Sequence, residues 1–387
     1  MTLPIPRSAS SPFDLLAGQG QLNYTFVFRL IDASTSQFIR YLTPLADQVP
    51  QLVHDTSQTI KRSVTIALGV SDTAAIDTIH HRVLIYLQLS DGTLYPLGRF
   101  MFTDRTGIKS TGGNQSSLVL MDEGFILDQP SETSYPPASL AAQNSLLASQ
   151  QGAKPISVTD LVRNILENQQ NFIARIEDSD FLTTAAWSIG TSTLQTLSDL
   201  AAYGDYFPPW IDASNTFRMI RTFDPANRAP TFDWDLFPHV YADSITESDD
   251  LLTAPNRFIV IGNAANSANT TVNVTTNTSV ADQANGVVSG SYDVPSSAPH
   301  SIQNRGFVVP LVAQMQVETT TQAQAVATSL GLQSTLYQRT TLTTFPDPRH
   351  DSYDVIRWAG ALWLELAWSM DLIAGGNMTH LLRKVYS

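Results

Sequence analysis

Carboxylates are the residues in this chain best placed to do chemistry. Asp233 and Asp235 would share one face of an extended segment over 231–236, side by side as a glycoside hydrolase needs its acid and its base or nucleophile. The flanking Pro230 and Pro238 fit an acidic loop equally well. Asp249 and Asp250 offer a weaker version of the same pair. The segment FPDPRHDSYD, residues 345–354, brings Asp347, Asp351 and Asp354 together in sequence, a set of oxygens of the kind calcium takes. It lacks the EF-hand spacing and its central glycine, and Asp-Pro steps that cap turns, with Arg349 pairing to an acid, explain the same residues.

Other chemistries find less support. The seven histidines show no ligand spacing, there is no HExxH, and adjacent His80 and His81 would point to opposite faces of a strand. Trp187, Trp210, Trp358, Trp363 and Trp368 form either a sugar-stacking platform or anchors of the core and of subunit contacts. Gly18-Gln19-Gly20 lacks the third glycine and the preceding strand of a dinucleotide site, and neither a Walker loop nor a Gly-x-Ser-x-Gly elbow occurs. The absence of Cys excludes disulfides, thiolate zinc sites and cysteine nucleophiles. The sequence therefore assigns no catalytic, cofactor-binding or metal-ligating residue and no cofactor, and it predicts a protein that is not an enzyme.

Composition says what must hold such residues in place. Of 387 residues, 43% are hydrophobic and 15% charged, against about 25% charged in ordinary domains. Asp outnumbers Glu by 28 to 7, and Arg outnumbers Lys by 18 to 4. Asp favours turns and caps, whereas Glu and Lys coat exposed helices, so the chain reads as strands joined by turns. The net charge of −13 argues against a nucleic-acid or anionic-membrane binder. Of that charge, −10 falls between residues 178 and 293. Residues 1–20 lack the apolar core of a signal peptide. The longest apolar stretch, Trp358–Gly376, is interrupted by Glu365 and Asp371 and makes a poor membrane span.

The elements follow from periodicity. Leu22, Tyr24, Phe26, Phe28 and Leu30 alternate with other residues as one face of a strand, and 58–68 repeats the pattern, with Arg62 expected to snorkel to water. Residues 82–90 and 94–103 flank Asp91-Gly92, which predicts a hairpin with both turn residues at positive φ. A further turn at Gly112-Gly113-Asn114 leads into a strand over 117–121. Residues 129–156 form a low-charge linker. Helices are predicted over 160–169, capped by Ser157 or Thr159, over about 192–203, stopped by Gly204, and over about 320–337. Trp210-Ile211 and 217–223 read as a hairpin, and 257–262 as a buried strand. Residues 263–300 are a polar excursion, either a surface hairpin or a flexible loop. A strand over 306–312 and a strand pair centred on 361–368 complete the chain.

Four ordered stretches carry a resemblance: SQTIKRSVTIALGVSDTAAIDTIHHRVLIYLQLSDGTLYPLGRFMFTD (57–104), WSIGTSTLQTLSDLAAYGDYFPPWIDASNTFRM (187–219), DDLLTAPNRFIVIGN (249–263) and FPDPRHDSYDVIRWAGALWLELAWSMDL (345–372). Together they resemble the tail-hub minor tail proteins of long-tailed actinobacterial phages, which are related in fold to the baseplate hub of contractile-tailed phages. The resemblance implies a mainly β fold with an α+β insertion. A tube-like β-barrel would cover 1–128, a mixed insertion with two helices 129–240, and a second tube-like β domain with one helix 241–387. The C-terminal strands would complete the first barrel.

It also implies a structural hub in the virion, at the distal tail tip. The hub would be a homotrimer forming a pseudo-sixfold ring that closes the tail tube and passes tape-measure protein and DNA. Implied partners are a distal tail protein ring or tail tube, tape-measure protein, and tail-tip or receptor-binding proteins. DNA would pass without specific binding, repelled by an acidic wall, and no stable membrane insertion is expected. No attached peptidase, lysozyme or fibre region is expected, so wall degradation would fall to another protein. Two other functions fit the residues: a receptor- or glycan-binding module using the Trp residues and the 263–300 excursion, and a wall glycosidase using Asp233 and Asp235.

Overall fold

The computed structural model describes residues 23–110, 113–132, 134–135, 156–170, 172–183, 185–235, 240–250, 252–263, 287–315, 317, 319–334 and 338–386. The first block contributes β1 (Tyr24–Asp32), β2 (Phe38–Leu42), β3 (Gln51–Asp55), β4 (Arg62–Gly69), α1 (Val70–Ala74), β5 (His81–Leu89), β6 (Leu94–Ser110) and β7 (Gly113–Asp122). Their antiparallel order is β3-β4-β7-β6-β5-β1-β2. The alternation of apolar residues explains this sheet. Phe28 and Leu30 from β1, Val64, Ile66 and Leu68 from β4, and Val83, Ile85 and Leu87 from β5 all point into one core. Each such side chain contributes about 1.5–3 kcal/mol on burial.

Two predictions in this block need correction. The β5–β6 hairpin places only Gly92 at positive φ (87°), and Asp91 keeps a negative one. The loop has three residues: Gly92 N–H donates to Leu89 O at 2.9 Å, and Asp91 Oδ1 accepts from Thr93 N–H at 2.8 Å. A type I turn followed by glycine fits this geometry better than a two-residue turn. Arg62 does not snorkel. It is buried, its guanidinium lies against the rings of Phe100 and Trp368, and its backbone N–H donates to Asp122 Oδ2 at 3.1 Å. The turn predicted at Gly112 falls partly on residues 111–112, outside the described residues.

The middle segment contains α2 (Gly124–Leu127), β8 (Ile156–Ser157), α3 (Val158–Arg163), β9 (Ala174–Ile176), β10 (Leu182–Thr183), α4 (Thr193–Tyr203), β11 (Trp210–Ile211), β12 (Phe217–Met219) and β13 (Phe232–Asp233). Ser157 is the cap of α3, accepting from Asp160 N–H, and Thr159 lies inside the helix. From Asn164 to Gln169 the helix widens into a π turn. Ser192 caps α4, which lies where the sequence predicts a helix. Gly204 ends α4 at φ −91°, not in the left-handed region. Glycine is required there for room, because a Cβ would sit 2.5 Å from the Tyr206 ring and 2.8 Å from Val158. Leu161, Val162, Ile165 and Leu166 pack on Leu194, Leu197 and Leu200 to form this segment's own core.

The last part contains β14 (Val240–Ser248), β15 (Arg257–Asn263), β16 (Val287–Asp293), α5 (Ile302–Arg305), β17 (Pro310–Gln314), α6 (Thr320–Gln333), β18 (Arg339–Thr344), β19 (Val355–Trp358), β20 (Ala361–Asp371) and β21 (Met378–Lys384). It divides between two sheets. One has the order β16-β15-β17 and is covered by α6. The helix lies so close that a Cβ on Gly290 would come within 2.3 Å of the Ala323 backbone. The polar excursion therefore returns as strand β16, paired antiparallel with β15, and residues 264–286 lie outside the described residues. The strand predicted over 306–312 begins only at Pro310, because Gly306 is the left-handed cap of α5. Helix α6 stops at Gln333, short of the predicted 337; residues 335–337 are also not described.

The other sheet runs β14-β18-β21-β20 and then continues into β3. Trp368 pairs with His54 and Met370 with Leu52, so the two ends of the chain build one thirteen-stranded sheet. The fold is mainly β with a few helices, as the sequence predicts.

Candidate functional site

Loop 345–354 is where buried polar groups concentrate. The middle segment and the sheet clamp it from two sides. Tyr353, at φ 63°, stacks on Phe207 at 4.2 Å, and the Trp210 indole N–H donates to Asp351 Oδ1 at 2.7 Å. Thr231 N–H donates to Val355 O at 2.6 Å. Asp347 accepts from Arg349 Nε at 2.8 Å and from its Nη2 at 2.6 Å, a bidentate pair. Asp354 Oδ2 accepts from Asp351 N–H at 2.8 Å. The three acids thus serve a guanidinium, an indole and a turn, which matches the turn-cap reading and not a shared calcium site.

Beneath the loop lies a cluster that the sequence did not reveal. His350 Nδ1 is 2.7 Å from Glu365 Oε2, and His380 Nδ1 is 2.6 Å from Glu365 Oε1. His380 Nε2 is 2.8 Å from Thr344 Oγ1, whose hydroxyl lies 2.9 Å from Phe345 O. Residue exposures are 5% for His350, 1% for Glu365 and 0% for His380. Glu365 and His380 come from neighbouring strands β20 and β21, and a register shift between Glu365 and Ala367 sets the carboxylate inward. Phe232 of β13 stacks on the His350 ring at 4.0 Å, and Trp234 meets His380 edge-on at 5.1 Å.

Burial alone would raise the Glu365 pKa, but the two imidazoles outweigh it and hold the carboxyl down at about 2. Burial would lower His350, yet Glu365, Asp347 and Asp354 raise it above the ordinary histidine value. For His380 burial prevails and the value falls, despite Glu365.

A cleft of about 250 Å³ opens between the β11–β12 hairpin and the loop, with Trp210, Asp212, Arg218, Arg228 and Ser352 among its walls. Ser352 Oγ lies 2.6 Å from His54 Nε2, a serine–histidine contact spanning 298 residues of sequence. His54 Nδ1 has no hydrogen-bond partner among the described residues, so the carboxylate that orients a catalytic histidine is not there. Burial and the nearby Arg62 also push the His54 pKa well down, which weakens it as a base.

The remaining sequence candidates do not converge. Asp233 pairs with Arg357 at 3.2 Å and Asp235 Oδ2 accepts from Gly360 N–H at 3.0 Å; neither lines the cleft. Asp250 Oδ1 accepts from Leu252 and Thr253 N–H within its own turn. His80 pairs with Asp77 at the surface, and His81 Nδ1 accepts from Asp77 N–H. Trp187, Trp210, Trp363 and Trp368 are buried and Trp358 is half-buried, which makes them anchors of the core. The one sequence signal for the cluster was Glu365 itself, a scarce residue in the most apolar run of the chain.

Apolar side chains also lie exposed along unpaired sheet edges. On β2, Phe38, Ile39 and Tyr41 are exposed, and among the described residues β2 pairs only with β1. At β17 and just before it, Phe307, Val308 and Val312 are exposed, and among the described residues β17 pairs only with β15. Among the described residues no helix is long and apolar enough to cross a membrane.

No protein-family model and no curated protein sequence matches the chain. Solved structures of tail proteins do. The chain is similar to the tail protein from Neisseria meningitidis, with a TM-score of 0.55, 12% identity, and 93% of this chain and 96% of that one covered. The 43 kDa tail protein of prophage MuSo2 from Shewanella oneidensis also gives 0.55, at 10% identity, with coverages of 93% and 98%. Prophage tail protein gp18 from Listeria monocytogenes gives 0.52, at 9% identity, with coverages of 92% and 94%. The chain thus shares the fold of these tail proteins along nearly its whole length.

Proposed function

We propose that the chain is a structural component of a phage-type tail, in which it serves as a hub protomer at the distal tip. The observation that carries this reading is the fold shared end to end with three tail proteins, at coverages above nine-tenths on both sides. Its sheet is built from both ends of the chain, so the protomer works as one piece. The exposed apolar edges at β2 and β17 support assembly, because unpaired edges left in solvent invite uncontrolled pairing and a ring neighbour would cover them. The expected division at 1–128, 129–240 and 241–387, the homotrimer, the passage of tape-measure protein and DNA, and the actinobacterial origin belong to this proposal.

The reading is non-enzymatic. Asp233 pairs with Arg357 of β19 and Asp235 anchors the β19–β20 turn at Gly360, and among the described residues the serine–histidine contact lacks a third member. The acidic stretch supports repulsion of DNA only in part, since Asp205, Asp212, Asp233 and Asp293 each face an arginine. Light scattering of the purified full chain tests the assembly. Three protomer masses are expected, and Phe38→Glu with Tyr41→Glu should shift the mass toward one. A single protomer mass at every concentration contradicts the proposal.

A further inference from the structure

The hydrogen positions in the buried cluster lead to a definite conclusion. Thr344 has one hydroxyl hydrogen and two close partners, Phe345 O at 2.9 Å and His380 Nε2 at 2.8 Å. A carbonyl can only accept. Both contacts are hydrogen bonds only when Thr344 donates to Phe345 and His380 Nε2–H donates to Thr344. Nδ1 of a neutral His380 is then a lone pair, and it faces Glu365 Oε1 at 2.6 Å. Two lone pairs at that distance repel unless a proton or a metal ion lies between them. The other carboxylate oxygen lies 2.7 Å from His350 Nδ1, the second nitrogen turned to the same carboxylate. Without a metal, His380 must carry both ring protons, an imidazolium at 0% exposure with the His350 ring 4.7 Å away, a costly arrangement away from water.

We propose that His350, Glu365 and His380 form a structural zinc site. Two imidazole nitrogens and a carboxylate are a donor set that zinc takes, and these ligand atoms all lie within 4.8 Å of one another. The His380 Nε2–H to Thr344 bond is the outer hydrogen bond that metal-bound histidines make, fixing the tautomer that leaves Nδ1 for the ion. A tetrahedral ion about 2.1 Å from each donor holds the donors about 3.3 Å apart. Binding therefore spreads the cluster by roughly half an ångström from its present distances. His350 sits on a loop and Glu365 beside a strand irregularity, so both have room to give. Closed under Phe232 and Trp234, the ion would tie loop 345–354 to β20 and β21 and would see no substrate.

The test uses the tag-free full chain, purified without chelator. Elemental analysis should find about one zinc per chain. Stripping with dipicolinate should lower the melting temperature, and zinc chloride, unlike magnesium chloride, should restore it by several degrees. Cobalt(II) in place of zinc should give the visible absorption of a low-coordinate nitrogen–oxygen site. Glu365→Gln and His380→Asn should each abolish the stoichiometric metal; should either fail to fold, the metal count and cobalt spectrum of the unaltered chain decide. Metal below about a tenth of an equivalent, with a melting temperature that zinc leaves unmoved, overturns the proposal and assigns the cluster to protons. Zinc retained by the folded variants places the ion elsewhere and overturns it too.

Discussion

The interior of the first β block and the interior beneath loop 345–354 are built on opposite principles. The first is mainly apolar. Val83, Ile85, Leu87, Phe100 and Leu120 pack in one cluster, and Arg62 meets it at the rings of Phe100 and Trp368. The second buries Asp347, Arg349, His350, Glu365 and His380 within a few residues of sequence or across one strand pair. An apolar core is non-directional and tolerates repacking, whereas a polar interior is stable only in one arrangement of donors and acceptors. The difference teaches where this protein specifies its shape. The first block supplies bulk stability. The cluster fixes how the middle segment, the loop and the C-terminal strands meet.

The sharpest way to break this contrast is to remove apolar volume. Phe100→Ala should cost about 4 kcal/mol in urea unfolding. Equal tolerance of this change and of a surface substitution would refute the assignment of stability to that core. Next comes the polar interior. Glu365→Gln removes the charge that both imidazoles face and should cost about 3 kcal/mol, measured on metal-free protein. Unchanged stability would mean that the cluster is incidental.

The smallest effect lies at the border of the middle segment. Asp205 has its pKa pushed up to about 6, chiefly by burial, with Arg221 opposing. Its folded value exceeds the unfolded one, so its contribution is fully present below about pH 4 and is lost as pH rises through about 6. Asp205→Asn stays neutral and tolerates the positive φ of 62° at this position. Relative to the parent chain, it should gain about 1 kcal/mol between pH 4 and pH 7, after allowance for solvent screening. A flat difference across that range would contradict the buried placement of Asp205.

What the sequence made legible follows the same division. Period-two alternation marked β1 and β4 because one face of each is apolar. The start of α3 was legible at Ser157 because a cap is a local hydrogen bond. The cluster was hidden because its members meet only through pairing. Glu365 lies in a run where Trp363, Leu364 and Leu366 are buried as well, so no alternation distinguishes its face. The β3–β20 pairing, which unites both ends of the chain, has no local signal at all. Arg62 looked like a snorkelling residue because its partners are remote: Asp122, Asp212 and Asp351 act on it from other elements. The carboxylate pairs drew attention by spacing, but each proved to anchor a turn or an arginine.

The central claim is that the chain is a structural tail protein, a hub protomer at the distal tip. An electron-microscopic reconstruction of the particle that carries it tests this most directly. The account predicts three copies around the tail axis at the distal end, with the β2 and β17 edges covered by neighbouring chains. Absence of the chain from the tail, or a copy standing alone with those edges in solvent, would contradict it.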